Sequence, residues 1–426
     1  MCAKVNKKSD KPIFKEIIDM IPSSLFKKII TLFKSDKHCS TYKTYDQFCS
    51  MMFGQLNNCH SLREIALGID QSPEFLYDVG LQQSPAKSTM SDGNKKRNYQ
   101  VFEALYKKLL GHYSVTLRHR EDYKVIEEVK GMSIKLVDAT IMTVSLALFS
   151  WAEYRTAKGG IKAHVSLDEG YMVPDIINIS QAKVSDRRGV DDFRYPKDTI
   201  IVDDRGYFDC KLFKQRVDDE NWFVCRIKDN TLYEVVEERE LPNKEDQHIL
   251  LDEEIHLTGK PAVETKMNQV RLRRIVVYIE EDNRTIEIIT NNMDWKASTI
   301  AELYKRRWDI LVLCTKYAVE VFFRLIKQNL QIKTFIGTSE NACKSQIWIA
   351  MICYLLIELI RRVICRTKHS YSHCILIIRV CITRYTTLNY VMNQTQVRVR
   401  KRENTPKIHR ICSLTARKRK ILCSNV

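Results

Sequence analysis

The spacing of apolar residues changes character twice along the chain. Between about residues 14 and 120 it is helical: Leu62, Ile65, Ala66 and Ile69 fall at i, i+3, i+4 and i+7, with Ser61 and Glu64 placed as a capping box. Val101, Phe102, Leu105 and Leu109 repeat that stripe behind Lys95, Lys96 and Arg97, which suits either a DNA-binding module of short helices or a generic helical domain. From about residue 129 the runs become β-branched and short. Residues 134–144, 161–167 and 172–179 predict strands, and 199–202 is apolar after its first residue, as in a strand covered on both faces. Residues 232–292 are strand-rich and acidic, with 271–278 and 285–290 as expected hairpin partners. Helical spacing returns near residue 297 and continues, with breaks, to about 364. The longest apolar run, 347–357, ends at Glu358 and falls short of the roughly 20 residues a bilayer span needs, so it predicts a buried helix.

Composition bounds what these elements can build. The 426 residues allow two to three domains at about 150 residues each. Only 13 Gly and 9 Pro among 44% hydrophobic residues exclude collagen-like and wholly disordered chains. The net charge of +17 is unevenly placed, because residues 361–426 hold 16 Lys and Arg against one acid, Glu403. Such a block attracts phosphate backbones by releasing their counterions, although a solvated or nuclear-targeting tail has the same composition. The 14 cysteines include no CxxC pair, and residues 1–12 lack an apolar signal core, so reduced intracellular thiols are expected. Cys365, His369, His373 and Cys374 have ligand-like spacing but lack the second half of a zinc module.

The chemistry concentrates in two carboxylates. Asp138 sits inside an apolar strand, where an ionised group is costly unless compensated. Asp204 follows another buried strand. Carboxylates delivered from two strands can share divalent cations, and two such ions can clamp both oxygens of a phosphoryl transfer.

Five stretches carry a resemblance: VDAT (137–140), LALFSWAEYRTAKGGIKAH (146–164), DDRGYFD (203–209), IAELYKRRWDI (300–310) and the segment from 320 to 351 that opens EVFFRLIK. In order and length they resemble DDE transposases of insertion-sequence family four, and residues 12–110, including FGQLNNCHSLREI (53–65), resemble the helical domain that precedes the catalytic domain in one group of that family. The resemblance implies an α+β or α/β fold. Its parts are an all-α N-terminal domain (12–120), an RNase-H-like catalytic core (129–360) with a β-rich insertion at about 232–292, and a basic helical C-terminal region (361–426). It assigns Asp138, Asp204 and Glu320 as the catalytic, metal-binding triad, with two Mg²⁺ or Mn²⁺ ions. Tyr304, Arg307 and Lys327 would hold phosphates of the transposon end. The implied activity is metal-dependent cleavage and strand transfer on DNA, both transposon ends and target, by a homodimer in the synaptic complex. The setting would be a bacterial-type cytoplasm, on the nucleoid and not in a membrane.

One departure has a physical consequence. The family places the glutamate four residues after the arginine and the lysine seven further on, so that all share one helix face at about 100° per residue. Here Leu311 stands at the glutamate's place and Glu320 comes nine residues later, behind LVLCTKYAV (311–319). Nine residues turn a continuous helix by about 900°, in effect half a turn. An unbroken helix would aim Glu320 and Lys327 away from Tyr304 and Arg307. Either 311–319 loop out, or the site lacks its third carboxylate and the copy is impaired; a non-catalytic or repurposed DNA-binding relic is the alternative function.

Overall fold

The computed structural model describes residues 8–118, 126–145, 149–155, 158–241, 248–280, 283–308, 318–330 and 335–394. Seven helices open the chain: α1 (Ile13–Asp19), α2 (Ser23–Leu32), α3 (Thr44–Asn57), α4 (Leu62–Ile69), α5 (Pro73–Val79), α6 (Lys87–Lys96) and α7 (Gln100–Leu117). The capping box at α4 forms as its residues dictate. The Glu64 amide donates to Ser61 Oγ at 3.2 Å, and the Glu64 carboxylate accepts from the His60 amide at 2.8 Å. The α7 stripe Val101, Phe102, Leu105 and Leu109 is fully buried. Much of what it meets is α13 (Glu340–Leu359), whose apolar run 347–357 is buried on all sides. Among the described residues no helix is long and apolar enough to cross a membrane. The N-terminal helices, α13 and one face of the sheet share a continuous apolar core, so the stretch expected as a separate helical domain is built around a helix from the far end of the chain.

The strands are β1 (Ile134–Val144), β2 (Glu153–Arg155), β3 (Lys158–Asp168), β4 (Val173–Gln181), β5 (Ile200–Asp203), β6 (Trp222–Arg226), β7 (Tyr233–Glu238), β8 (Ile249–Leu257), β9 (Leu272–Ile279) and β10 (Arg284–Thr290). They form one sheet in the order β2-β3-β1-β5-β6-β10-β9-β8-β7, with β4 also on β3. β4 pairs antiparallel with β3 and β3 with β1, whereas β5 runs parallel to β1 and β6 parallel to β5. β5 is buried along its whole length, as its apolar run requires. Between β4 and β8 lie α8 (Asp186–Gly189) and α9 (Cys210–Asp218), and α10 (Lys260–Thr265) follows β8.

The acidic stretch 232–292 continues this same sheet, with β10 docked antiparallel on β6. Its expected hairpin is β9 with β10, paired Arg274 to Ile289. Much of its acidity is neutralised internally. Asp252 accepts a bidentate contact from Nε and Nη2 of Arg273, Glu253 pairs with Arg274 at 2.6 Å, and Glu254 pairs with Arg239 and Arg271; the three carboxylates are buried.

The chain continues through α11 (Ala297–Trp308), α12 (Ala318–Asn329), α13 and α14 (Tyr371–Cys381). α14 contributes Tyr371, Cys374, Ile375 and Ile378 to the core, and Met392 is fully buried. The basic region expected from residue 361 therefore starts inside the core. Its densest runs, Arg398–Arg402 and Arg417–Lys420, lie outside the described residues.

Candidate active site

β1 and β5 are parallel neighbours, and that pairing carries Asp138 and Asp204 to one place. Each engages the next amide in the chain with one oxygen: Asp138 Oδ1 accepts from Ala139 N–H and Asp204 Oδ1 from Arg205 N–H, both at 2.8 Å. The other oxygens meet a single cation. Arg307 Nη2, from α11, lies 3.4 Å from Asp138 Oδ2 and 3.9 Å from Asp204 Oδ2, and its side chain is 5% exposed. Burial pushes the Asp138 carboxyl up from its ordinary range; the Arg307 charge and the Ala139 amide oppose this, and Asp204 adds to it. Burial alone would lower the Arg307 guanidinium, but the two aspartates outweigh it and its affinity for its proton is raised. Tyr304, one turn earlier on α11, is buried beside it.

The neighbouring Asp203 has a different role. Successive strand residues face opposite sides of a sheet. Asp203 is wholly buried and pairs with Arg216 of α9 at 2.5 Å. Sequence reasoning did not find Arg216; its signal was an arginine one turn after Leu212 on the buried face of an otherwise apolar stripe. Replacing Arg216 by leucine should cost about 3–5 kcal/mol, because Asp203 would be left buried and uncompensated. Denaturant unfolding would measure the loss, and the double variant Arg216→Leu/Asp203→Leu should recover most of it.

Asp186 gave no sign in the sequence either. It starts α8, is held by Lys162 Nζ at 3.2 Å, and its negative field raises the carboxyl of Asp138. Between these acids stands Tyr207, buried, with no hydrogen-bond partner for its hydroxyl among the described residues. Burial first, then Asp138 and Asp186, push that phenol well above its ordinary range. Arg205 reaches outward to Asp229 at 3.4 Å, a plain surface pair.

Lys327 lies on α12. With Phe323, Arg324 and Gln328 it lines a cleft of about 410 Å³ whose other wall is Asp138, Ala139 and Thr140 of β1. Glu320 is the third residue of α12, and its side chain lies outside the described residues, as do residues 309–317 and the side chain of Trp308. The unbroken-helix expectation is nevertheless overturned. α11 and α12 touch each other, whereas in one straight helix their nearest ends, Trp308 and Ala318, would stand about 15 Å apart. The two helices are set independently, and half a turn of phase is no longer imposed on Lys327.

His164 sits on β3 opposite Ala139, fully buried, with Nε2 3.1 Å from Ser180 Oγ. Burial draws its pKa down to about 4, which keeps it neutral, and it does not line the cleft. Trp151 donates Nε1–H to the Thr338 carbonyl at 2.8 Å and packs on the core. Cys365 and Cys374 are buried, and His369 is engaged with the Met392 carbonyl. Among the described residues, which do not include the side chain of Glu320, no three His, Cys, Asp or Glu gather as metal ligands.

Comparison with known proteins places this geometry in context. The family described as "Transposase DDE domain" matches residues 130–356, and a domain of unknown function, DUF4372, matches residues 9–82. A probable transposase for insertion sequence element IS5377 of Geobacillus stearothermophilus is 29% identical over 226 residues, covering 53% of this chain and 56% of the relative. The chain thus spans little more than half the length of that relative. The putative transposase y4zB of Sinorhizobium fredii is 29% identical over 281 residues, with 66% of this chain and 72% of the relative covered. Among solved structures, a piggyBac transposase synaptic complex with hairpin DNA aligns over 93% of this chain and 82% of that one, with 12% identity and a TM-score of 0.35.

Proposed function

Because the chain belongs to the transposase DDE domain family, we propose that it is an insertion-sequence transposase that binds the ends of its element and catalyses metal-dependent DNA cleavage and strand transfer. The observation that carries the reading is the convergence of Asp138 and Asp204, from parallel neighbouring strands, on one buried cation. The β4-β3-β1-β5-β6 arrangement, three antiparallel strands followed by two parallel to β1, supports an RNase-H-like core.

The donor set fits a divalent ion. Two hard carboxylates already gather around positive charge, and each keeps an oxygen directed there. Asp138, Asp204 and Glu320 are the residues that would hold two Mg²⁺ or Mn²⁺ ions. When bound, these would activate water or a DNA 3′-hydroxyl and stabilise the leaving oxygen. Glu320 precedes Phe323, Arg324 and Lys327 by three, four and seven residues, the spacing of one helix face, and those three line the cleft against Asp138. That register favours a complete triad over an impaired relic. Arg307, buried between the acids, would orient a scissile phosphate, and Lys327 and Tyr304 would hold phosphates beside it. DNA ends and target are the partners, a homodimer synapses two ends, and the nucleoid of a bacterial-type cytoplasm is the setting.

The direct test supplies the full chain with duplexes carrying its element's terminal repeats and a supercoiled target plasmid. Joined products in Mg²⁺ and none in EDTA are expected; no joined product in either would overturn the reading. A second expectation concerns charge. Because α14 is part of the core, the basic end must be cut after Gln394 rather than near residue 361. That truncation, which keeps α14 and Met392, should flatten the log K against log salt slope by about 0.9 for each phosphate that the tail neutralises. An unchanged slope would show that the tail contributes nothing to DNA attraction.

A further inference from the structure

Helix α6 is anomalous among the N-terminal helices. Its ten residues, KSTMSDGNKK, carry one apolar core side chain, Met90, together with a glycine and three hydroxyl residues, a composition with little helix propensity of its own. What holds it is a buried polar network. Gln47 Nε2 donates to Asn94 Oδ1 at 2.8 Å, Arg97 Nη1 donates to Gln47 Oε1 at 2.6 Å, and Asn341 Nδ2 donates to the Asn94 carbonyl at 2.9 Å. Arg97 also reaches the backbone of the loop after α2, donating to the Tyr42 carbonyl at 2.7 Å and the Ser35 carbonyl at 3.3 Å. Gly93 lets that loop close in, since a Cβ there would meet the Tyr42 ring at 2.8 Å. Arg97, which the sequence offered as a basic approach to DNA, is buried mounting.

This mounting presents a polar ridge to solvent. Lys87, Ser88, Ser91 and Lys95 are exposed along one side of α6. The loop fastened to the C-terminal end of α6 by Arg97 and Gly93 carries Lys34, Lys37 and Lys43, all exposed. The nearby acids are occupied: Asp36 caps Thr44 through its amide and hydroxyl, Asp46 accepts from the Lys43 amide, and Asp92 pairs with Lys96 at 2.9 Å. Helix and loop both present cations to solvent, and on α6 itself the short side chains of Ser88 and Ser91 lie between Lys87 and Lys95. The first turn of α6 is also uncapped by Ala86, which leaves its amides for an anion.

We infer that α6 is a DNA-reading helix that lies in the major groove of the element's end, with Ser88 and Ser91 against base edges and Lys34, Lys37 and Lys43 on the flanking phosphates. The occupant is duplex DNA rather than protein because the exposed side of α6 is polar and cationic, with its one large apolar side chain, Met90, buried, and the loop fastened to it adds three more exposed lysines. Short side chains admit the helix deeply, and a rigid mount fixes its register. The inference rests on the transposase reading and goes further, by naming the element that recognises sequence.

The experiment selects a pool of duplexes of randomised sequence with the full chain. The wild type should enrich one motif. Ser88→Arg/Ser91→Arg, at exposed positions that do not endanger the fold, should lose that motif by about tenfold or more in enrichment while still binding bulk duplex. Lys34→Ala/Lys37→Ala/Lys43→Ala should keep the motif at lower affinity and flatten the salt slope by about 2–3 units. Enrichment of the same motif by the serine variant, an unaltered slope in the lysine variant, or duplex binding by the wild type without any motif would each overturn the role of α6 alone. A wild type that binds no duplex at all would overturn the transposase reading itself.

Discussion

Asp138→Asn will reduce strand transfer by about a thousandfold and leave end binding within a few-fold of the wild type. A divalent ion contributes several kcal/mol of transition-state charge stabilisation, and about 4 kcal/mol corresponds to that factor. Asparagine keeps the shape and the Ala139 amide contact but not the anionic oxygen that faces Arg307. The effect on folding should have the opposite sign. Burial raises the native pKa of Asp138 above its unfolded value, so the native state resists ionising this group, and its contribution to stability falls as pH rises through the carboxylate range. Asparagine removes that cost. The variant should therefore melt no lower than the wild type at pH 7 in EDTA, whereas Asp203→Asn, which strips the buried partner of Arg216, should melt lower with its metal chemistry untouched. Retention of strand transfer within tenfold of wild type would remove Asp138 from the catalytic set.

The contrast between these adjacent aspartates indicates what a linear reading can and cannot reach. Strand limits were visible because β-branched runs and their bounding turns are local: residues 134–144 predict the strand that is β1, and Asp138 stands out within it. That Asp204 meets Asp138 depends on β1 and β5 being parallel neighbours, a long-range choice for which the only sequence sign was a run covered on both faces. Arg216 left almost no trace, since an arginine near the end of an amphipathic helix usually points to water. Arg97 misled for the same reason. It follows Lys95 and Lys96, yet its position one turn after Gly93 turns it inward, onto the carbonyls of Ser35 and Tyr42. The neutralisation of Asp252 and Glu253 on β8 was not legible because their partners, Arg273 and Arg274, lie on β9, one strand away in space and about 20 residues away in sequence. Helical phase extrapolated across 308–318 failed because periodicity describes one helix and is silent on where a second begins.

The independence of α11 and α12 sets the other large effect. Glu320→Gln will lower strand transfer by a factor comparable to Asp138→Asn, about a thousandfold, although Glu320 stands nine residues later than the family spacing allows. The cleft beside Asp138 is walled by Phe323, Arg324 and Lys327, so the face of α12 that reaches it is the one on which position 320 falls by register. Leu311, at the family's position for the acid, has no such relation to Lys327, because 16 residues separate them and α11 and α12 are not one helix. Leu311→Glu placed in the Glu320→Gln background should accordingly restore nothing. Rescue by that second substitution would mean that the helix of Tyr304 and Arg307 supplies the third carboxylate through residue 311. Wild-type activity in the single variant would leave Asp138 and Asp204 to hold the metal with no carboxylate from α12.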